Sequence, residues 1–299
     1  MSGIQKQPIN QPSPITNVAK PTFREIMDKS AATAMRGGLA GGAAMVANIG
    51  CLMWLRTTVN YQYRHGTPIG ESLKILYRDG GIPRFYRGVV PALVQGPLSR
   101  FGDTAANTGV ITLLDSFDET RDLPVMAKTT VASGAAALFR VVLMPIDACK
   151  TTMQVEGSMK PLIAKIRTNG PKVLFNGSVA SASATFAGHY PWFATYNYLG
   201  TAIPVQEDPL MELGRRAAMG FSASVVSDTT SNSIRVVKVY KQAAAEQLSY
   251  TEIVRRIVAK DGVRGLMFRG LETKILANGM QGIIFSILWK QFDSMLNAR

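Results

Sequence analysis

Acidic, basic and amide side chains interrupt the apolar stretches of this sequence, where a charge is costly unless it is paired or bound. The densest case runs from Pro145 to Gln154, with Asp147 and Lys150 between them. No Ser/His/Asp, Cys/His or paired-carboxylate arrangement suited to catalysis is visible, and no Cys-x-x-Cys pair suits zinc. We therefore expect ion pairing or solute binding, not an enzyme, with no metal and no cofactor.

Six stretches rich in apolar and small residues carry these side chains, and each is long enough for a helix to cross a bilayer. They lie at about 32–60, 89–116, 125–154, 178–203, 213–242 and 272–296. Charges fit such helices when they line a wet interior rather than facing lipid. The alternative is a soluble helical protein with an alanine-rich core. Small residues spaced four apart, such as Gly38 and Gly42, favour membrane helices because they permit close packing.

Composition narrows the possible partners. With 46% hydrophobic and 18% charged residues, the chain is too apolar for disorder over most of its length. The net charge of +13 suits an anionic membrane surface, small anions or nucleic acid. Because the bases are spread along the chain and form no stripe, we expect no nucleic-acid partner. Residues 1–20 are polar and lack the apolar core of a secretory signal.

Three sequence marks recur in fixed order at intervals near 90 residues, which is typical of a repeat architecture. A polar loop ends at Gly88, Gly177 and Gly270, which lie 89 and 93 residues apart. Upstream of each glycine lies a base that is followed four residues later by an amide. These pairs are Arg56 and Asn60, Lys150 and Gln154, and Lys238 and Gln242. The predicted unit is a long helix, a loop with a short amphipathic helix (68–78 or 250–260), and a second long helix.

At this level the sequence resembles the mitochondrial carrier family over about residues 30–297. Residues 145–154 (PIDACKTTMQ) match the family's Pro-x-acidic-x-x-basic motif, and residues 86–88 and 268–270 match its aromatic-basic-glycine motif. The resemblance implies an all-α membrane protein with six transmembrane helices in a threefold pseudosymmetric barrel and three short matrix helices. It also implies a multi-pass location in the mitochondrial inner membrane.

The expected organisation is one integral domain that follows a polar tail. The predicted boundaries are a tail at 1–29 and carrier repeats at 30–120, 121–208 and 209–299.

In the family, the acid of each proline motif pairs with the base of the next, which closes one end of the barrel. Here the motif is intact only in the second repeat, where Pro145 is expected to kink the helix. The first repeat has lost the proline and the acid, and the third has Ser233 for proline and Arg235 for the acid. One family-type pair is left, Asp147 with Lys238.

The family rule places the other bases of the gate opposite residues that are not acids. Lys150 would face Met53, and Arg235 would lie near Arg56 unless it shares Asp147 or binds an anion. The matrix-gate residues that the resemblance implies are Arg56, Asp147, Lys150, Gln154, Arg235, Lys238 and Gln242.

Candidate binding residues come from two arguments. The family's substrate contacts lie about seven residues after each closing glycine, which points to Gln95, Thr185 and Asn278. Arg140 and Asp228 each lie seven residues before the acid position, on the same helix face, and could grip a zwitterion or pair with each other. His189, one turn past Thr185, is a further candidate.

The resemblance implies transport of a small anionic or zwitterionic solute by alternating access. The family's opposite gate is also weakened, since residues 104–111 carry no charge. This motivates an alternative, a carrier-fold protein without transport activity that serves as a structural subunit of a large inner-membrane complex of respiratory type. Expected partners are the solute, membrane lipids such as cardiolipin at the matrix helices, and, under the alternative, that complex.

Overall fold

The computed structural model describes residue 46 and residues 48–297, and within them all side chains except those of residues 100, 104, 108 and 285–297. This part of the chain is mostly helical and contains no strand. In chain order the helices are α1 (48–65), α2 (Ile69–Arg78), α3 (Gly81–Phe85), α4 (Val89–Ser116), α5 (Asp118–Arg121), α6 (Val125–Val142), α7 (Met144–Glu156), α8 (Lys160–Asn169), a 3-10 turn (Pro171–Phe175), α9 (Ser178–Ala202), α10 (Pro209–Ala243), α11 (Tyr250–Phe268) and α12 (Leu271–Asn297).

The long helices pack mainly on their neighbours in the chain. α4 contacts α6 and α7, α6 contacts α9, α9 contacts α10, and α10 contacts α12. The first helix packs on the second through Ile49, Met53 and Ala92. It also packs on the last helix, because Leu52 and Leu55 share a buried cluster with Ala277 of α12. The contacts between long helices therefore form a closed series, in which the last long helix packs on the first.

Short helices lie in the loops between the long ones, where the repeat pattern predicts them. The first, Ile69–Arg78, agrees with the predicted 68–78 within one residue. The last, α11, begins at Tyr250 as predicted but continues past 260, with a bend at Gly262. Ser249 caps the start of α11 by accepting a hydrogen bond from the Glu252 amide at 3.1 Å.

The three loop-closing glycines have positive φ angles of 89°, 86° and 64°, at Gly88, Gly177 and Gly270. Each precedes a long helix, and each lies against the backbone or side chains of an odd-numbered long helix of another repeat. A Cβ on Gly88 would lie 3.1 Å from the Lys150 carbonyl oxygen, and one on Gly177 would lie 3.3 Å from that of Lys238. Gly270 lies equally close to the Tyr63 ring of α1. The repeats therefore contact one another in the order first on second, second on third, third on first.

Basic side chains follow the same order at the carboxyl ends of the helices. Arg84 of the first repeat donates to the Gln154 and Val155 carbonyls at the end of α7, at 2.9 and 2.8 Å. Lys165 of the second repeat donates to the Gln242 carbonyl at the end of α10, at 2.9 Å. Burial lowers the pKa of Lys165. Unpaired carbonyls at a helix end attract cations, so these contacts stabilise the end they reach.

The third repeat completes the series with Lys260, whose ammonium donates to the His65 carbonyl at the end of α1, at 3.0 Å. Arg269 also donates to the Tyr63 carbonyl, at 3.5 Å. Each repeat thus supplies a cation to the end of an odd-numbered long helix in another repeat. We refer to these contacts as the inter-repeat caps.

Among the described helices, α6 is the one that is long and apolar enough to be recognised as a membrane span from length and composition alone. The other long helices carry more polar and charged residues, which lower their mean hydropathy. Many of these polar and charged side chains lie between the helices, as described below.

Candidate functional site

A buried polar cluster joins three long helices around Asp147, which we call the Asp147 cluster. The carboxylate of Asp147 accepts hydrogen bonds from Lys150 at 2.7 Å and from Lys238 of α10 at 2.6 Å. It also accepts one from the Gln242 side chain at 3.0 Å. Lys150 donates in addition to Gln95 of α4 at 3.0 Å. The expected ion pair of Asp147 with Lys238 is thus present, and α4, α7 and α10 belong to the first, second and third repeats.

A break in the third long helix positions Asp147. α6 ends at Val142, Leu143 serves as the boundary, and α7 begins at Met144 with Pro145 in its first turn. Proline lacks an amide hydrogen and its ring crowds the preceding turn, which explains the break. The Asp147 amide then bonds to the Leu143 carbonyl at 3.0 Å, so that the acid lies in the first turn of α7. An acid is favoured at that end of a helix.

Asn60 of α1 and Gln154 of α7 form an uncharged contact between the first and second repeats. Asn60 of α1 donates to the Gln154 side chain at 2.5 Å, and Gln154 in turn donates weakly to the Met53 sulfur at 3.6 Å. Lys150 was expected to face Met53, and its hydrogen bonds are with Asp147 and Gln95. Lys150 turns instead to Asp147 and Gln95, because a carboxylate and an amide oxygen offer the ammonium hydrogen-bond acceptors and a thioether offers it only a weak one.

A second cluster lies between α4, α6 and α9, and we call it the Asp103 cluster. Arg140 donates to Asp103 at 2.6 Å, and neighbouring Gly102 lets α4 approach Phe139 closely. Ser133 donates to the Thr129 carbonyl at 2.7 Å, so its oxygen is left to accept from His189 Nδ1 at 3.0 Å.

Arg140 and Asp228, for which pairing with each other was one alternative, have different ion-pair partners in this structure. Arg140 pairs with Asp103, which the neighbouring helix brings within reach, and Asp228 has other partners. Asp103 Oδ1 and Arg140 Nε are buried and have no hydrogen-bond partner, although each side chain is satisfied at another atom.

A third cluster joins α10 to α12, and we call it the Asp228 cluster. Asp228 is buried, accepts a hydrogen bond from Asn278 of α12, and lies 3.6 Å from the Arg235 guanidinium. Arg235 also donates to Ser231 at 3.1 Å. Lys274, one turn before Asn278, interacts electrostatically with Asp228. Arg235 was expected near Arg56; its ion pair is with Asp228, and Arg56 donates to Gln281 of α12 at 3.1 Å.

The predicted site residues thus divide among these clusters. Gln95 joins the Asp147 cluster, Arg140 and His189 the Asp103 cluster, and Asn278 the Asp228 cluster. Thr185 is half-buried on α9 and donates to the Ser181 carbonyl of its own helix at 3.0 Å. Gln154 and Gln242 lie at the ends of their helices and take part in the inter-repeat caps through their carbonyls.

Three residues of these clusters and their surroundings were not among the predicted site residues: Asp103, Lys274 and Gln281. Asp103 follows a glycine within an apolar stretch, which marks a close helix contact beside a charge. Lys274, Asn278 and Gln281 recur at i, i+4 and i+7, the spacing of one helix face, and this signal was available in the sequence.

Among the described side chains named in the three clusters, together with Arg56, basic groups outnumber acidic ones. The bases are Arg56, Arg140, Lys150, Arg235, Lys238 and Lys274, and the acids are Asp103, Asp147 and Asp228. All nine side chains are buried or half-buried. Burying unbalanced charge is unfavourable, so an excess of three positive charges favours the entry of anions.

Comparison with known proteins agrees with this architecture. Residues 211–299 match the family model for mitochondrial carrier proteins. The bovine (Bos taurus) mitochondrial 2-oxodicarboxylate carrier is 21% identical, in an alignment covering 88% of this chain and 95% of that protein. A calcium-dependent mitochondrial ATP-magnesium/phosphate carrier of Arabidopsis thaliana is 23% identical over 80% of this chain.

A mitochondrial substrate carrier family protein of Dictyostelium discoideum is 24% identical over 58% of this chain. The chain spans about half the length of the plant protein and 57% of the Dictyostelium protein. These relatives carry transporter names and match at low identity, while the motif of the second repeat and the triple recurrence of its marks extend the likeness beyond residues 211–299. The family model and these relatives, at low identity, support membership of the chain in the mitochondrial carrier family.

Proposed function

We propose that the protein carries a small anion across the mitochondrial inner membrane by alternating access. The observation that carries the proposal is the Asp147 cluster, in which the second and third repeats bond to one buried carboxylate and the first repeat joins through the contact of Gln95 with Lys150. Ion pairs of this kind can hold one end of a pathway closed and can separate when a solute compensates their charges. Arg56, Gln154 and Arg235 surround this closure in the proposed matrix gate, with Pro145 as its kink.

The closed succession of helix contacts supports a barrel of six membrane-spanning segments with threefold pseudosymmetry. The return of α12 to α1 and the inter-repeat caps are what such a barrel requires. The repeats at 30–120, 121–208 and 209–299 and a multi-pass topology are part of this proposal. Polar residues between the helices explain why composition alone recognises few spans, since charge inside a membrane is placed toward protein or water.

Excess positive charge favours an anion over a zwitterion as the solute. Two of the relatives are named for anions, a 2-oxodicarboxylate in one case and ATP-magnesium and phosphate in the other. We include Gln95, Arg140, Thr185, His189, Asp228 and Asn278 as candidate contacts along the pathway.

Membrane lipid is the proposed partner at the outer surface. A groove of about 370 Å³ between α9, α10 and α11 is lined mainly by apolar side chains, including Val179, Val237 and Val254. Acyl chains of lipids such as cardiolipin match that chemistry.

Transport by purified protein in liposomes tests the proposal. We expect uptake of at least one labelled anion from a panel of inorganic phosphate, di- and tricarboxylates and nucleotides. Asp147→Asn should abolish gated uptake, whereas Asp115→Asn, at a half-exposed carboxylate paired with Lys128 near the other end of α4, should leave it nearly unchanged. Equal uptake by wild-type protein and Asp147→Asn would contradict the assignment of the gate.

The weakly bonded contact of Asn60, Gln154 and Met53 favours one second candidate, a structural subunit of a large inner-membrane complex. Relaxed selection on a gate would leave such a contact uncharged. Native gel electrophoresis of the endogenous protein in mild detergent separates the two. Migration at carrier size supports transport, and co-migration with a complex many times its mass supports the alternative.

A further inference from the structure

His189 of α9 is hydrogen-bonded at one of its two ring nitrogens. The Ser133 hydroxyl of α6 donates its hydrogen to the Thr129 carbonyl at 2.7 Å, so its oxygen accepts from His189 Nδ1 at 3.0 Å. This network assigns the hydrogen of the neutral ring to Nδ1 and leaves a lone pair on Nε2. Among the residues that the structure describes, none forms a hydrogen bond with Nε2. The half-buried ring therefore has one nitrogen that can take a proton.

Charged side chains of three other helices act on this ring. Asp103 of α4 attracts a proton to His189, whereas Arg140 of α6 and Arg235 of α10 repel one. Its ring neighbour on α9 itself is the uncharged Phe193, with the ring centres 6.0 Å apart. The state of the Asp103 cluster therefore decides whether His189 holds a proton.

Two atoms of the Asp103 cluster can each take a further partner. Asp103 pairs with Arg140 through Oδ2, and its Oδ1 is buried without a hydrogen-bond partner. Arg140 Nε is buried without one as well. Buried polar atoms in proteins are nearly always hydrogen-bonded. A protonated His189 would supply a donor to the carboxylate, and an anion would supply an acceptor to the guanidinium.

The charge of the cluster links these two events. With a neutral ring, Asp103 and Arg140 balance each other. A proton on His189 adds one positive charge, and a buried net charge is unfavourable. An anion bound at Arg140 offsets that charge and weakens the repulsion between the guanidinium and the ring. Each ligand therefore favours binding of the other by the same factor.

We propose that the protein is a proton–anion cotransporter in which His189 binds the proton at Nε2. The inference rests on the transport function proposed above and adds a second transported ion. On one side of the membrane, water gives up a proton, an N–H bond forms at Nε2, and the anion binds at Arg140. On the other side that N–H bond breaks, the proton returns to water and the anion leaves. No electrons are transferred, and Asp103 acts as a positioning residue for the proton.

Nitrogen-15 NMR of histidine side chains tests proton binding without transport. The chain contains two histidines, so labelled protein in mild detergent gives two sets of ring signals, which His65→Gln assigns. We expect neutral His189 to carry its hydrogen on Nδ1. At least one of oxalate, succinate, inorganic phosphate and ADP should increase its protonation constant about fivefold or more, the lower end of typical coupling. Sodium chloride at matched ionic strength is the control. A protonation constant that no probe changes would overturn the proton site.

The acid of the cluster gives a second readout in the same experiment. Asp103→Asn removes the carboxylate that attracts the proton, so it should decrease the protonated fraction of His189 at fixed pH. A structural role of Asp103 alone would leave that fraction as it is in wild type.

Uptake into liposomes tests the coupling, with the membrane potential held at zero by potassium and valinomycin. With the outside more acidic, one proton per anion should drive accumulation of the labelled probe by about tenfold for each pH unit. His189→Asn keeps a donor near the position of Nδ1 and removes Nε2, so it should lose this accumulation. His189→Gln is a second variant in case Asn disturbs folding. His65→Gln is the matched control and should accumulate the probe as wild type does.

The outcomes separate this inference from the transport function. Equal accumulation by wild type and His189→Asn, or uptake by wild type that ignores the pH gradient, would overturn the coupling and leave transport standing. No uptake of any probe, together with anion-dependent protonation of His189, would refute transport and leave the proton site standing. Loss of all uptake in both His189 variants, together with anion-independent protonation in wild type, would show a purely structural histidine.

Discussion

The third and fifth long helices occupy corresponding places in their repeats but differ in shape and bonding. The third is broken at Leu143 into α6 and α7, and the fifth, α10, runs uninterrupted for 35 residues. Five residues before the recurrent base, the third has Pro145 and the fifth has Ser233. The third supplies the carboxylate of the Asp147 cluster, and the fifth supplies only a base and an amide.

Two residue types, a proline and an acid, account for most of the difference in helix shape and bonding between the repeats. A proline sets the break, and an acid two residues later collects the bases. Where both are absent, as in the first repeat, the corresponding contact is made by Asn60, Gln154 and Met53. A hydrogen bond between amides is weaker than one that involves a charged group. The three repeats therefore contribute unequally to the stability of these contacts.

Removing the acid should have the largest effect. Asp147→Ala leaves Lys150 and Lys238 together without a carboxylate, and breaking a buried pair in this way costs about 3–5 kcal/mol. We expect a clear fall in the thermal unfolding temperature in mild detergent, with Asp115→Asn as a nearly neutral control. A fall no greater than that of the control would mean that the bases find other partners.

Introducing the proline should make the fifth helix resemble the third. Ser233→Pro removes the bond from its amide to the Thr229 carbonyl and should destabilise the protein by about 3 kcal/mol. The reverse change, Pro145→Ala, should cost little. Thermal unfolding measures the effect of both changes. Equal unfolding temperatures for Ser233→Pro and Pro145→Ala would contradict the role given to the proline.

The inter-repeat caps should also differ in strength. Arg84 reaches two carbonyls and pairs with Asp79 at 2.5 Å, whereas Lys165 reaches one carbonyl. We expect Arg84→Ala to destabilise by about 2–3 kcal/mol and Lys165→Ala by about 1 kcal/mol. Equal effects in an unfolding experiment would show that the number of carbonyls reached does not matter.

The smallest effect concerns pH at the end of α1, outside the proposed spans. Burial and nearby bases lower the pKa of His65 from 6.5 to about 4. As the pH falls from 6.5 toward 4, the unfolded chain takes up a proton that the folded chain resists, so stability falls. With partial exposure we expect about 1 kcal/mol lost by pH 5. The loss should be smaller in His65→Gln, and an equal loss in both proteins would assign it to other groups.

Residue types and intervals predicted the order of the elements well, because glycines and helix periodicity act locally. The short helix after α1 follows from such signals, whereas the ion pair of Asp147 with Lys238 was implied by the resemblance to the family. The partner of Arg140 could not be predicted, because residue spacing within one helix does not show which acid a neighbouring helix brings within reach. Arg235 was placed beside Arg56 by the family rule alone, and the nearer carboxylate of its own helix took precedence.

Lys274 is a residue that the sequence pattern indicated but that the family rule did not select. Its spacing to Asn278 and Gln281 was visible, yet the family rule directed attention to the position seven residues after the glycine. The boundaries of the repeats and the roles of the site residues stay predictions, since they depend on motions and ligands.

The inter-repeat caps have a consequence for how the chain is made. The end of the first long helix receives its cations from Lys260 and Arg269, across 195 and 206 residues of sequence. A chain that has emerged only as far as its second repeat must therefore leave that helix end unsatisfied. Contacts so distant in sequence form slowly. Helix α1 is in this sense synthesised early and completed late, and truncation after residue 208 should expose it to proteases.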